Sequence, residues 1–158
     1  MDPFRSYDVR GLYPQELDEV LFEKIGRAFV LLYKLTKVYV GRDCRRSSES
    51  LSKAFIAGAL AQGADVVDMG LCSTPVAYFA TQHGAAAMIT ASHLGKEFNG
   101  VKMVLKDLAH VDDIPGIKAL TQSSQWPDAS PGTISEGSFV REYVTALNKE
   151  GIPSNKKI

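Results

Sequence analysis

The sequence is poor in cysteine, has no long apolar run and carries no excess charge of either sign. Its 158 residues include two cysteines, without a Cys-x-x-Cys motif or histidines at zinc-binding spacing, which argues against a disulfide scaffold and a structural zinc site. No apolar run approaches the ~18 residues of a membrane span, and the N-terminus lacks a signal-peptide pattern. Basic and acidic residues number 18 each, so no broad field attracts nucleic acid or an anionic membrane. We therefore expect a cytoplasmic globular protein with no nucleic-acid or membrane partner.

Helical and strand patterns alternate along the first two thirds of the chain. The predicted elements, in chain order, are a weak strand at 5–11, a helix at 17–32 with Pro14 and Glu16 in its first turn, a strand at 38–40, a helix from Ser47 or Ser48 to Gln62, a strand at 66–70, a helix at 74–83, a strand at 85–90 and a strand at 101–105. This alternation predicts right-handed crossovers between parallel strands. No helix separates the last two strands, so the final one is predicted to be antiparallel.

The pattern weakens after Lys106. It indicates a short helix at 113–120, a loop rich in Ser, Gly and Pro at 122–137, and a last helix at 138–149. The predicted fold is a three-layer α/β/α domain with a mixed, mostly parallel sheet of about four main strands. We expect residues 1–150 to form this domain and residues 151–158 to be a tail leading to later domains absent from the chain.

Three loops follow strands at the same edge of the predicted sheet, at 41–47, 70–74 and 90–100. Ligands of open α/β sheets gather at this edge. The first loop contains Arg42, Arg45 and Arg46 beside a helix N-terminus, a combination suited to phosphate. The alternative is that these arginines are solvated or pair with Asp43 and Glu49. The third loop contains Ser92 and His93, but adjacent Ser and His residues are not a catalytic-triad signature.

Three short motifs occur in order along the chain. Residues 4–11 read Phe-Arg-Ser-Tyr-Asp-Val-Arg-Gly, residues 41–48 read Gly-Arg-Asp-Cys-Arg-Arg-Ser-Ser, and residues 90–93 read Thr-Ala-Ser-His, followed by Phe-Asn-Gly-Val-Lys at 98–102. They resemble three motifs of the phosphohexomutases, the family of phosphomannomutase and phosphoglucomutase: Phe-Arg-x-Tyr-Asp-Ile-Arg-Gly, Gly-Arg-Asp-x-Arg-x-Ser-Ser, and Thr-Ala/Gly-Ser-His-Asn-Pro with Tyr-Asn-Gly-x-Lys. The resemblance covers nearly the whole chain and corresponds to the first of the four domains that family members usually have.

The resemblance implies an enzyme that interconverts hexose 1-phosphate and hexose 6-phosphate through a bisphosphate intermediate. Its partners would be hexose phosphates and the later domains of the same polypeptide, with Mg²⁺ as cofactor and hexose 1,6-bisphosphate as activator. Ser92 would be the phosphoserine and would bind the metal through its phosphate. The other residues implied are Arg10 and Lys102, which stabilise the transferred group, His93, which orients the loop or sugar, and Tyr7, Arg42, Asp43 and Asn99, which bind substrate or support the loop.

Two departures from the family motifs bear on this expectation. Leu94 and Gly95 replace the usual Asn-Pro, which exchanges a stiff backbone for a flexible one. The metal, sugar and phosphate motifs of the family's later domains are missing, so we expect the isolated chain to be inactive. The alternative is a catalytically inactive phosphosugar-binding or regulatory domain of the same fold. An unrelated nucleotide-binding domain is disfavoured because no glycine-rich phosphate-binding motif follows a strand.

Overall fold

A six-stranded mixed sheet forms the centre of the computed structural model, which describes residues 2–149. The strand order is β1-β5-β4-β2-β3-β6, with β1 and β5 antiparallel to their neighbours and the other pairs parallel. The predicted α/β class and the antiparallel return of the strand after residue 100 are confirmed. The sheet has six strands rather than about four, and the tail predicted at 151–158 lies outside the described residues.

The strands and helices alternate along most of the chain. Their bounds are β1 Val9–Leu12, α1 Glu19–Tyr33, β2 Lys37–Arg42, α2 Ser48–Ala61, β3 Asp65–Leu71, α3 Thr74–Phe79, β4 Ala85–Ile89, β5 Phe98–Val104, α4 Ile114–Ser123, β6 Ile134–Glu136 and α5 Val140–Lys149. None of the helices in residues 2–149 is long and apolar enough to cross a lipid bilayer.

The sheet is covered on both faces, as the predicted three-layer arrangement requires. Val38 and Val40 of β2 point into a large core with α1, α2 and α4, while Tyr39 between them points into a smaller core with α3. All five residues of β4 are buried, which explains why Ala85–Ile89 is apolar without alternation. Because β4 is fixed between two layers, the loop that follows it begins at a defined position on the sheet edge.

The first helix begins two residues later than its apolar pattern predicts. Asp18 is the N-cap, and its carboxylate accepts a hydrogen bond of 2.7 Å from the Leu21 N–H. Pro14 and Glu16, expected in the first helical turn, lie in the preceding turn, and the Glu16 carboxylate instead accepts the Leu12 N–H at 2.9 Å. The expectation was wrong because a better capping residue lay within the apolar pattern.

Residues 99–100 are not the turn that an Asn-Gly dipeptide suggests, since they lie inside β5. A Cβ atom on Gly100 would lie 2.3 Å from the Val9 carbonyl oxygen, so glycine is needed for the close approach of β1. The stretch 122–137 also differs from the predicted loop. Its residues Ile134–Glu136 form β6, which pairs in parallel with Val66, Val67 and Asp68.

Candidate functional site

The three loops predicted to meet at one sheet edge line a single cleft of about 540 Å³. We call it the serine cleft, and its lining residues are Asp43, Cys44, Arg45, Cys72, Ser73, Thr74, Met88, Thr90, Ser92, Leu94 and Lys96. Both cysteines are free thiols. Burial raises the pKa of the Cys72 thiol, so this group is not an activated nucleophile.

Ser92 is exposed in the loop that follows β4 and has a left-handed backbone, with φ of 56°. This conformation costs a non-glycine residue about 1 kcal/mol and persists only when surrounding contacts hold it. The Ser92 N–H donates to the Thr90 hydroxyl at 2.9 Å, and the Leu94 N–H donates to the Ala91 carbonyl at 3.2 Å. The chain therefore presents the Ser92 hydroxyl from a constrained turn.

The guanidinium of Arg45 is the main brace of this turn. Its terminal nitrogens donate to the carbonyl oxygens of Ser92 at 2.9 Å, Leu94 at 2.8 Å, Gly95 at 2.6 Å and Phe98 at 3.1 Å. These acceptors lie about fifty residues from Arg45 in the sequence, so the contact ties the loop after β2 to the loop after β4. These tertiary hydrogen bonds restrain the loop in which Leu94 and Gly95 replace the usual Asn-Pro.

Asp43 orients Arg45 and joins the same network. Its carboxylate accepts from the Arg45 Nε at 3.0 Å, from the Thr90 hydroxyl at 2.7 Å and from the Ser48 hydroxyl. Desolvation by burial is the largest single influence and raises the pKa of Asp43. The hydrogen bonds from Ser48, Thr90 and the Arg45 N–H together outweigh it and lower the pKa below its ordinary value. Asp43 is therefore an ionised anchor for the loop.

Asn99 supports the loop from inside the protein. Its side chain is fully buried, and its amide donates to the hydroxyls of Ser47 at 2.8 Å and Ser48 at 3.0 Å. The side-chain carbonyl oxygen of Asn99 accepts a hydrogen bond from the Gly100 N–H at 2.8 Å. Because Ser48 in turn donates to Asp43, Asn99 is connected to the anchor of the serine loop.

Arg42 occupies a different place from the one expected of a loop brace. Its guanidinium lies 3.8 Å from the Glu49 carboxylate, which is the pairing that the alternative interpretation of the arginines named. No hydrogen bond joins the Arg42 side chain to the serine loop within residues 2–149. The bracing contacts come from Arg45, which the sequence pattern marks only as one of three arginines suited to phosphate. The available sequence signal was the Gly-Arg-Asp-Cys-Arg motif, in which Arg45 follows the anchor Asp43 by two residues.

Arg10 and Lys102 lie on one face of the sheet, on neighbouring strands. Val9 pairs with Val101 and both point into the large core, so Arg10 and Lys102 point to the opposite, α3 face. Arg10 pairs with the Asp8 carboxylate. The structure therefore brings these two cations to one face.

Lys102 lines a second cleft, of about 490 Å³, rather than the serine cleft. We call it the lysine cleft, and its lining residues are Tyr7, Asp8, Tyr78, Lys102, Met103, Val104, His110 and Val111. Tyr7 is 75% exposed, so its ring lies outside the hydrophobic cores. His93 is also exposed, beside Ser92, and it does not line the lysine cleft.

Helix α3 connects the two clefts. Thr74 lines the serine cleft and Tyr78, one turn later, lines the lysine cleft. Both also line an apolar cleft of about 600 Å³ between α3 and α5, where Phe79 and Tyr143 pack edge to face. Within residues 2–149, Asp107 is the one charged residue that lines this cleft, and the cleft has no cation to bind an anion, whereas the serine cleft and the lysine cleft are both lined by cations.

The described residues do not by themselves fit a magnesium site. Between residues 2 and 149, no group of three or more His, Cys, Asp or Glu side chains is close enough together to hold a metal ion. Asp43, the carboxylate that joins the network of the serine loop, already accepts hydrogen bonds at both oxygens. A magnesium ion on a phosphate at Ser92 would need ligands from outside this part of the chain.

Comparisons with known proteins agree with this architecture. Residues 1–127 match the family model described as phosphoglucomutase/phosphomannomutase, alpha/beta/alpha domain I. A phosphomannomutase of Escherichia coli is 37% identical over 153 residues, which are 91% of this chain and 34% of that protein. A phosphomannomutase of Klebsiella pneumoniae is 37% identical over 150 residues, which are 89% of this chain and 96% of that protein.

A solved structure gives the same result. The crystal structure of a phosphoglucomutase/phosphomannomutase family protein from Burkholderia thailandensis matches with a TM-score of 0.85 and 31% identity, over 94% of this chain and 35% of that one. The chain thus spans about a third of the Escherichia coli and Burkholderia proteins and nearly all of the Klebsiella protein. On the match of its first 127 residues and on this fold, the chain belongs to the phosphoglucomutase/phosphomannomutase family, as its α/β/α domain I.

Proposed function

We propose that this chain is the phosphoserine-bearing domain of a phosphohexomutase and that Ser92 is its phosphoryl carrier. The observation that carries the proposal is the backbone of Ser92. An exposed serine is held in a left-handed conformation by hydrogen bonds from Arg45 and to Thr90. Strain of this kind is found where a residue must be presented in one orientation.

The proposed reaction consists of two phosphoryl transfers, the first from Ser92 to the sugar and the second from the sugar back to Ser92. A hydroxyl oxygen of a hexose monophosphate attacks the phosphorus on Ser92, the bond from phosphorus to the serine oxygen breaks, and the hydroxyl proton ends on Ser92. The product is a hexose 1,6-bisphosphate, which returns its other phosphoryl group to Ser92 by the reverse steps. Such a transfer depends on positioning and on neutralising charge, with little covalent chemistry from the protein.

Arg10 and Lys102 are the cations assigned to the phosphoryl group, since they share the α3 face that connects the two clefts. His93 is assigned to orienting the sugar or the loop, because it is exposed directly beside Ser92. Tyr7 is assigned to substrate binding in the lysine cleft. Asp43 and Asn99 are assigned to loop support, with Asp43 in direct contact with Arg45. Arg42, which pairs with Glu49, is left as a candidate for substrate binding.

The second candidate is a phosphosugar-binding or regulatory domain that does not transfer phosphate. It is favoured by one observation, that Ser92 and Lys102 line clefts with no residue in common. The network around Ser92 favours the transfer function, because contacts from two other loop positions, Arg45 and Thr90, hold an exposed serine in one orientation. The two functions differ in whether Ser92 ever becomes covalently modified.

Mass spectrometry distinguishes them. The natural product of the gene, purified with phosphatase inhibitors and incubated with a hexose 1,6-bisphosphate, is expected to carry one phosphate that maps to Ser92. The Ser92→Ala variant is expected to carry none and to lose mutase activity. Ser73→Ala removes an exposed hydroxyl from the same cleft and should still be phosphorylated on Ser92.

The 158-residue chain alone is expected to give no turnover with hexose 1-phosphate, Mg²⁺ and the bisphosphate, since residues 2–149 supply no complete metal site. Binding of hexose phosphate to the natural gene product, with Ser92 never modified, would establish the second candidate. Phosphate on a different residue would overturn both.

A further inference from the structure

The four hydrogen bonds of Arg45 determine which way the peptide groups of the serine loop face. The carbonyl oxygens of Ser92, Leu94 and Gly95 all point at one guanidinium. In a planar trans peptide the C=O and the following N–H point in opposite directions. The N–H groups of the next residues, His93, Gly95 and Lys96, therefore point away from Arg45.

These three N–H groups have no hydrogen-bond acceptor within residues 2–149, whereas the Leu94 N–H between them is bonded to Ala91. All three belong to exposed residues that follow Ser92 within four positions. Gly95 stands where the similar family motif has proline, a residue without an N–H. Unpaired backbone donors of neighbouring residues can together bind an anion. The Glu97 carboxylate lies close to Gly95, since a Cβ atom on Gly95 would be 2.5 Å from its Oε1, so this exposed side chain must turn away when a phosphate binds.

We propose that Arg45 is a positioning residue and that it turns the backbone N–H groups of His93, Gly95 and Lys96 outward as a binding site for the phosphate on Ser92. The ligand class is a phosphomonoester dianion attached to the protein itself. The inference rests on the proposed function, in which Ser92 carries phosphate. It adds a source of charge stabilisation that needs neither a metal ion nor a lysine.

The planar fork of Arg45 is essential to this role. One guanidinium reaches four carbonyl oxygens while its Nε stays 3.0 Å from Asp43. A lysine keeps the positive charge but offers one compact ammonium group, which cannot hold carbonyls spread over seven residues. Arg45→Lys therefore separates the geometry of the loop from its charge.

The test uses the 158-residue chain with phosphoserine installed at position 92 during translation, in metal-free buffer with a chelator. Nuclear magnetic resonance compares the backbone N–H groups of the phosphorylated and unmodified chains. On phosphorylation, the amide protons of His93, Gly95 and Lys96 are expected to shift downfield. Their hydrogen exchange should slow by about tenfold or more, as for hydrogen bonds to a charged acceptor. The Leu94 N–H is already bonded to the Ala91 carbonyl, so its shift reports only the electric field of the phosphate and serves as the internal control.

Two variants test the positioning role. Arg45→Lys should abolish the downfield shifts and most of the exchange protection, while Arg46→Lys, a matched change at an exposed neighbour, should leave both intact. Gly95→Pro deletes one N–H donor and keeps the carbonyl at position 95 that Arg45 binds, so it should preserve the response of His93 and Lys96. Unchanged protection in Arg45→Lys would overturn the role of Arg45.

The wild-type measurement stands even if Arg45→Lys fails to fold. The phosphate site is refuted if the amides of His93, Gly95 and Lys96 respond no more than the Leu94 amide. Because the phosphate is installed during translation, the result does not depend on any transferase activity. A chain that passes this test, but whose natural form never acquires phosphate from a hexose bisphosphate, would refute the proposed function and leave the site standing.

Discussion

Replacing Asn99 by alanine should destabilise the protein far more than replacing an exposed asparagine would. The side chain is fully buried and makes three hydrogen bonds of 2.8 to 3.0 Å, to Ser47, Ser48 and Gly100. Each such bond contributes about 1 kcal/mol net, and the Gly100 N–H would be left buried and unpaired. We expect a loss of about 3 kcal/mol, a large part of the 5–15 kcal/mol typical of a domain.

Urea denaturation of the 158-residue chain, followed by circular dichroism, measures this loss. For a domain of this size it corresponds to a fall in melting temperature of roughly 6–12 °C. Asn148→Ala is the matched control, since Asn148 is exposed on α5 and should change stability by less than about 0.5 kcal/mol.

A second substitution at the same site separates hydrogen bonding from packing. Asn99→Asp keeps the shape but replaces the two amide donors by an acceptor and buries a charge close to the network of Asp43. It should be at least as destabilising as Asn99→Ala at neutral pH and should recover as acid neutralises the new carboxyl group. Equal stabilities of Asn99→Ala and Asn148→Ala would show that the buried hydrogen bonds do not hold β5 to α2.

Two further predictions concern the serine loop. The pKa of Asp43 lies below its ordinary value of 3.8, so the stability it contributes is present above that pH and is lost as the pH falls through the lower, folded-state value. Asp43→Asn should therefore lower stability at neutral pH and lose less on acidification than the wild type, as measured by urea denaturation at several pH values; an unchanged acid dependence would contradict this. The double substitution Leu94→Asn and Gly95→Pro should leave the melting temperature of the unphosphorylated chain unchanged or raise it. Proline removes no hydrogen bond, because the Gly95 N–H has no acceptor within residues 2–149. Proline also reduces the freedom of the unfolded chain, which can add up to about 1 kcal/mol of stability. A clear loss of stability would reveal a packing role for Leu94 in the serine cleft.

Much of the fold follows from local pattern. Apolar residues without alternation in Ala85–Ile89 identify a strand covered on both faces, and the short connection after it dictates an antiparallel return. The placement of three polar loops at one edge follows from the parallel strands that precede them. These features are predictable because each depends on neighbours within a few residues or on the geometry of a crossover.

Other features depend on partners distant in sequence. Residues Ile134–Glu136 form a strand because they pair with the free edge of β3 at Val66–Asp68. Residues 134, 135 and 136 are all exposed, so no apolar pattern in the sequence marks this strand. Asn99 and Gly100 have the composition of a turn, yet the approach of β1 and the hydroxyls of α2 place them inside β5. In both cases a tertiary contact overrides local preference.

The residues of the site divide in the same way. The amino-acid sequence by itself determined that the loop of Ser92 and His93 and the loop of the three arginines would lie at one edge of the sheet, because both loops follow strands that run parallel. Only the tertiary structure decided that Arg45, rather than Arg42, would brace the loop. The reason is physical: four of the brace's hydrogen bonds end on backbone carbonyl oxygens, which every residue possesses, so nothing in the residue types at 92–98 identifies them as its partners.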